Sequence, residues 1–238
     1  MATGDSLILA QVAERAQRFD DMVTFMIQEI ATRGAVAQLN IEERDMLSAA
    51  FKGKMQSRRS AFRQAAVVEQ SGGLPGHSFE FQQQHAANYR SMLNAELQSI
   101  CQQAIDVLEK SLLPAAAPGE AKTFYLKMMG DYYRYMAESL SDDLKATAAA
   151  NANARYLEGT TEASMTLAAT HAVRLGLALN LSVFQYEVLR DTDAAIMVAT
   201  EAYNAAVTEA ETKGVDPNSD SMLTLQLLRD NLQLWNPQ

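Results

Sequence analysis

The chain has 238 residues, 48% of them hydrophobic, a formal net charge of −9 and a single cysteine. That acidic balance argues against a nucleic-acid binder, which would carry a broad basic face. Lone Cys101 excludes a disulfide framework, fits a reducing compartment and is expected to be a buried, inert thiol.

Five prolines and eleven glycines are too few for an all-β chain with a turn every ten residues or so. Ala, Gln, Leu, Met and Glu dominate, all good helix formers, so the fold class expected is all-α. The N-terminus lacks a basic-plus-apolar leader, and no apolar run approaches about 18 residues, so no membrane insertion is expected. The compartment expected is the cytoplasm, alone or shared with the nucleus.

In chain order, the first helix is expected over 5–17, with Leu9, Val12, Ala13 and Ala16 as its apolar stripe. A second spans 19–33 and ends at Gly34, a natural C-cap. A long third, 41–71, stops at the loop Gly72-Gly73-Leu74-Pro75-Gly76, and a fourth runs 80–113 to Pro114. Helices over 119–140 and 143–163 follow. The second of these carries the Ala/Asn-rich patch Lys145 to Arg155, read as an exposed helix because alanine favours helix strongly.

Leu175, Leu177, Leu179, Leu181 and Val183 alternate strictly, which ordinarily signals a strand. No other segment offers a pairing partner, and an isolated strand leaves its backbone unsatisfied. A central helix over 170–188 is therefore expected, with Leu179, Asn180, Val183 and Glu187 within an arc of roughly 100°. Helices over 192–212 and 217–235 complete nine, the last capped within Asp216 to Asp220 and showing Leu223, Thr224, Leu227 and Asn231 on one face. Short connections favour antiparallel neighbours in one domain spanning 1–238.

Chemistry concentrates on two helices. Lys127, Arg134 and Tyr135 fall within roughly one 100° arc, and Lys52, Arg59 and Arg63 within roughly 40°. Basic residues so spaced are commonly the solvated face of a helix. Two cationic stripes beside a phenol also make a phosphate cradle: arginine forks match phosphoryl oxygens bidentately, and lysine adds a point charge. Asp131 and Glu138 flank Arg134 at i−3 and i+4, where carboxylates can fix a guanidinium's pose. His77, His85 and His171 are scattered, and there are no Walker glycines, no paired-histidine metal motif and no Gly-x-Ser-x-Gly, so neither catalysis nor a cofactor is expected.

Four blocks decide between those readings. Lys127-Met-Met-Gly-Asp-Tyr-Tyr-Arg-Tyr-Met-Ala-Glu138 resembles the central helix of the 14-3-3 family. Arg58-Arg-Ser-Ala-Phe-Arg63 with Val68-Glu-Gln70, Arg174 to Phe184, and Gln226 to Trp235 resemble further family blocks, in family order and spacing. The resemblance implies a homodimeric adaptor that docks phosphoserine and phosphothreonine segments of client proteins in one groove per protomer. Arg59, Arg134 and Tyr135 would hold the phosphate, with Lys52 adding charge. Arg63 and Lys127 would stand nearby, and Asn180 and Asn231 would clamp the ligand backbone. Leu179, Val183, Leu223 and Leu227 would form an apolar wall, and Glu187 would support the groove's hydrogen bonding. In the dimer, Val12 and Ala16 would pack on Ala65, Val68 and Tyr89 of the other subunit, with Arg18 paired to Glu96.

The chain departs from the family pattern in places. Asp21 would face Met92 where many members offer a lysine, which puts a second intersubunit pair in doubt. Ala61 replaces a serine, Phe62 a tryptophan, Thr224 an isoleucine in the apolar wall, and Gln185 a tyrosine. The runner-up reading is a helical scaffold that binds unphosphorylated amphipathic segments.

Overall fold

Side-chain caps from Asn40, Ser78 and His171 open three of the helices, and Gly34 and Gly72 each close one. The computed structural model describes residues 4–213 and 220–236, and among these it holds nine α-helices and no strand. The chain divides into two compact units, Met1–Ala115 and Ala116–Gln238.

The first unit contains α1 (Asp5–Arg15), α2 (Phe19–Arg33), α3 (Ile41–Ser71) and α4 (Phe79–Val107), the last continuing as a π-helical turn over Leu108–Leu112. The start of α3 is a reciprocal capping box. Asn40 Oδ1 accepts from the Glu43 N–H at 2.9 Å, and Glu43 Oε2 accepts from the Asn40 N–H at 2.9 Å. Such a cap contributes about 1 kcal/mol. Arg33 donates to both oxygens of Glu43, at 2.8 and 2.6 Å, tying the end of α2 to the start of α3. Gly34 and Gly72 end α2 and α3 at φ of +69° and +66°, a region that other residues seldom enter. The buried apolar residues include Met22, Val23, Met26, Leu47, Phe51, Ile105 and Leu108. Cys101 is buried too, as expected.

The second unit contains α5 (Glu120–Ser139), α6 (Asp142–Thr166), α7 (Ala172–Phe184) running into a π-helical turn over Gln185–Leu189, α8 (Thr192–Lys213) and α9 (Asp220–Trp235). At the start of α5, the Gly119 N–H donates to Glu162 Oε1 at 2.7 Å and Lys122 Nζ lies 2.8 Å from Glu162 Oε2. The end of α6 is thereby pinned to the beginning of α5, so the two run antiparallel. One core cluster joins Tyr156, Leu177, Leu181 and Phe184; another joins Leu175, Ala199, Leu225, Leu228 and Trp235.

Most expected helices lie within a few residues of their observed bounds, and the alternating leucines are helical. Leu175, Leu177 and Leu181 are buried, while Leu179 and Val183 pack against a core from its edge. Two details differ. The buried side of α1 is Ser6, Ala10 and Ala13, leaving Leu9, Val12 and Ala16 exposed, because only the small-residue side fits closely against the rest of the unit. The Ala/Asn-rich patch is exposed on one side only: Ala148, Ala149 and Ala152 enter the core cluster around Tyr156. The expected start of the last helix at 217, and its cap before Asp220, lie outside the described residues.

Candidate functional site

Helices α5 and α6 approach closely because two glycines allow it. A Cβ on Gly130 would stand 2.6 Å from Cδ1 and Cε1 of Tyr156, and one on Gly159 would stand 3.3 Å from Leu126 and Leu177 atoms. Glycine inside a helix costs roughly 1 kcal/mol relative to alanine, so such positions call for a packing reason. Here the reason at Gly130 is the tyrosine ring.

That ring carries its hydroxyl to Asp131, the hub of the second unit's polar cluster. Asp131 Oδ1 accepts from Tyr156 Oη at 2.6 Å and from Asn180 Nδ2 at 2.7 Å, while Oδ2 accepts from Lys127 Nζ at 3.1 Å. Arg134 is 9% exposed and is held from three sides. Its Nε donates to Tyr156 Oη at 3.3 Å, and its Nη1 donates to Glu138 Oε1 at 2.9 Å. Its Cζ lies 4.5 Å from the centre of the Tyr135 ring, in cation–π range. The expected flanking carboxylates are thus present with unequal roles: Glu138 bonds the guanidinium directly, whereas Asp131 Oδ1 is 3.6 Å from Nη2 and connects to Nε through Tyr156.

The electrostatics follow from this geometry. Burial opposes the Asp131 charge, but Lys127 and Arg134 outweigh it and hold the carboxyl below the usual carboxylate range. Burial likewise opposes the Arg134 charge, and the oxygens of Tyr156 and Asp131 overcome it, raising the guanidinium's pKa further. Burial and the adjacent Asp131 push the Tyr156 phenol well above its ordinary value, so it remains a neutral donor to the carboxylate. Lys127, Arg134, Asp131 and Glu138 together sum to zero formal charge. The cluster is a stiff polar frame that orients cations while leaving little net positive charge.

The remaining candidates of the second unit lie on the π-helical turn after α7 and on α9. Glu187 is exposed and shares with Glu138, Lys145 and Arg190 the lining of a cavity of about 450 Å³. Leu223 and Leu227 stand exposed on α9, at 63% and 52%, and Asn231 is half-buried on the same helix. Thr224 turns its hydroxyl back to the Asp220 carbonyl at 2.9 Å, which satisfies the polar group within its own helix.

In the first unit, Lys52 and Arg63 are exposed on α3 and Arg59 is half-buried between them. The neighbouring Arg58 is committed to structure, donating to both oxygens of Asp20 at 2.8 and 3.0 Å and lying 3.5 Å from Glu96. Within its own chain Arg18 pairs with Asp21 at 2.8 Å. Val12 and Tyr89 are more than half exposed, while Ala65 and Val68 line an apolar cavity of about 520 Å³ together with Phe81 and His85.

Tyr156 and Gly130 escaped the sequence reading. Tyr156 lies 25 residues from Asp131, immediately after the low-complexity patch that looked plainest. A signal was available: Gly130 interrupts a strong helix motif without breaking it, which implies a large side chain packed against it. Among the described residues, no group of His, Cys, Asp and Glu is arranged to hold a metal ion, and no helix is long and apolar enough to cross a membrane.

Comparison with known proteins agrees with this architecture. The family model described as 14-3-3 protein matches residues 9–236. A 14-3-3-like protein of Helianthus annuus is 43% identical over 97% of this chain and 88% of its own length. The 14-3-3-like protein GF14 psi of Arabidopsis thaliana is 41% identical over 97% and 89%, respectively. The 14-3-3 protein beta/alpha-B of Xenopus laevis is 42% identical over 96% and 91%. With the match running from the first helix to the last and the Lys127–Glu138 frame in place, the chain belongs to the 14-3-3 family of phosphopeptide-binding adaptors.

Proposed function

We propose that this protein reads phosphoserine and phosphothreonine in extended client segments, and that it does so as a homodimer with one groove per protomer. The observation that carries the reading is the frame around Arg134: a buried guanidinium held by Glu138 and Tyr156, with Tyr135 beside it and Lys127 and Asn180 fixed on Asp131. A guanidinium posed before the ligand arrives loses less side-chain freedom on binding.

A serine or threonine phosphate brings roughly −1.5 to −2 charges at neutral pH. A frame with no net charge cannot neutralise that ligand, so further cations are required. Lys52, Arg59 and Arg63 are the cations to which this reading gives that task, alongside Arg134, Tyr135 and Lys127. Asn180 and Asn231 then pair with the ligand backbone through amides that both donate and accept. Leu179, Val183, Leu223 and Leu227 take the ligand's apolar side chains, and Glu187 steadies the polar rim. Because backbone and phosphate dominate, many client sequences are accepted.

The exposed apolar side of α1 and the cavity at Ala65 and Val68 support pairing of two copies, with Val12 and Ala16 set against Ala65, Val68 and Tyr89. Arg18 and Glu96 face each other across that junction. An exposed ion pair is worth about 0–1 kcal/mol, so the apolar contact carries assembly. Two linked grooves hold a doubly phosphorylated client more tightly than one, where the spacing suits.

Fluorescence anisotropy with one arginine-rich serine peptide, phosphorylated and unphosphorylated, at low and high salt tests this reading. The expected result is binding of the phosphopeptide alone, weakening steeply as salt rises. Equal binding of both peptides with little salt response would instead establish a scaffold for unphosphorylated amphipathic segments.

A further inference from the structure

Tyr156 belongs to none of the residues that would touch a phosphopeptide, yet it stands between two that matter. Its hydroxyl donates to Asp131 Oδ1 at 2.6 Å and accepts from Arg134 Nε at 3.3 Å. The side chain is fully buried, its ring resting 5.5 Å from the ring of Phe184 and directly over Gly130. Asp131 Oδ1 also takes the Asn180 amide at 2.7 Å, so one carboxylate oxygen serves both Tyr156 and Asn180.

From this geometry we infer that Tyr156 is a positioning residue for the ligand site, its hydroxyl transmitting the fixed orientation of Asp131 to the Nε edge of Arg134. The inference rests on the phosphopeptide reading of that site and adds a part to it. A guanidinium presents two useful edges. Glu138 takes Nη1, and the Tyr156 oxygen takes Nε, which together set the plane of the group and aim the remaining N–H donors. Without the hydroxyl, Asp131 lies 3.6 Å from Nη2, too far for a good hydrogen bond, and only Glu138 continues to orient the group. The bond from Arg134 to Tyr156 holds because the phenol stays neutral and its proton is committed to Asp131, leaving an oxygen lone pair to accept from Nε. Gly130 completes the device: a Cβ there would meet the ring at 2.6 Å and displace the hydroxyl.

The test is Tyr156→Phe, which keeps the ring and its packing and removes one oxygen atom. Two quantities are measured on wild type and variant: phosphopeptide affinity by anisotropy, and the Arg134 Nε–H resonance by 15N NMR in the free protein, assigned through its loss in Arg134→Lys. The positioning role requires the affinity to fall about 5- to 30-fold, within what a hydrogen bond to a charged group can supply. It also requires the Nε–H signal to broaden and exchange faster with solvent. A residue that merely fills the core would lower the melting temperature and leave that resonance unchanged. An unchanged resonance, or an affinity within about twofold of wild type (roughly 0.4 kcal/mol), overturns the inference while leaving the phosphopeptide reading intact. If wild type itself binds no phosphopeptide, that reading fails instead, and the resonance in the free protein still decides whether Tyr156 poses Arg134.

Discussion

Two basic stripes with similar spacing sit in different surroundings. On α3, Lys52 and Arg63 are exposed and Arg59 is half-buried, and their neighbour Arg58 is bonded to both oxygens of Asp20. On α5, Arg134 is buried, Lys127 is mostly covered, and both are bonded to carboxylates of their own helix. The first arrangement sets its basic side chains nearer the surface; the second fixes direction and leaves its local charge balanced. A phosphate reader needs both qualities, and they conflict within a single cluster. Carboxylates that hold an arginine still also cancel its charge. In the proposed reader the two tasks fall to different helices.

The comparison breaks most visibly at Arg134. Arg134→Ala removes the posed guanidinium and two charge-assisted hydrogen bonds to phosphate, each worth about 1.5–3 kcal/mol, so affinity should drop by two to four decades. Circular dichroism should show the fold retained, since Lys127, Tyr156 and Asn180 still serve Asp131. Arg59→Ala probes the other stripe and should cost less, about one to two decades, with a melting temperature close to wild type. Equal losses from both variants would mean that posing contributes nothing beyond charge.

Asp131 sharpens the comparison through pH. Its folded-state pKa lies below the unfolded one, so the carboxylate contributes stability above about pH 4 that is lost as pH falls through the folded value. Asp131→Asn should therefore lower stability at pH 7, by about 3 kcal/mol for a broken buried pair, and flatten the acid limb of stability against pH. Chemical denaturation between pH 2.5 and 7 reads both changes. A variant as acid-sensitive as wild type would show that other carboxylates, such as Glu43 held down by its hydrogen bond from Arg33, govern the acid limb.

Much of this was legible in the sequence because it is local. Two helix ends follow from Gly34 and Gly72, and the Arg134–Glu138 pair follows from a four-residue spacing. The alternating leucines of α7 were readable once strand partners were sought and none found. What stayed hidden depends on contacts distant in sequence. Asp131 meets Asn180 and Tyr156 across 49 and 25 residues. The burial of Ala148, Ala149 and Ala152 depends on what packs against α6, which alanine does not announce. Similarly, the exposed side of α1 carries the larger apolar residues, so hydrophobicity alone pointed to the wrong face for burial within one chain.

A crystal structure with a phosphoserine peptide would test the central claim most directly. Phosphoryl oxygens are expected within hydrogen-bond distance of Arg134, Tyr135 and Arg59, with Arg134 in its present pose and still bonded to Glu138 and Tyr156. A phosphate bound by the α3 stripe alone, or an Arg134 side chain swung out of its frame to reach the ligand, would contradict it.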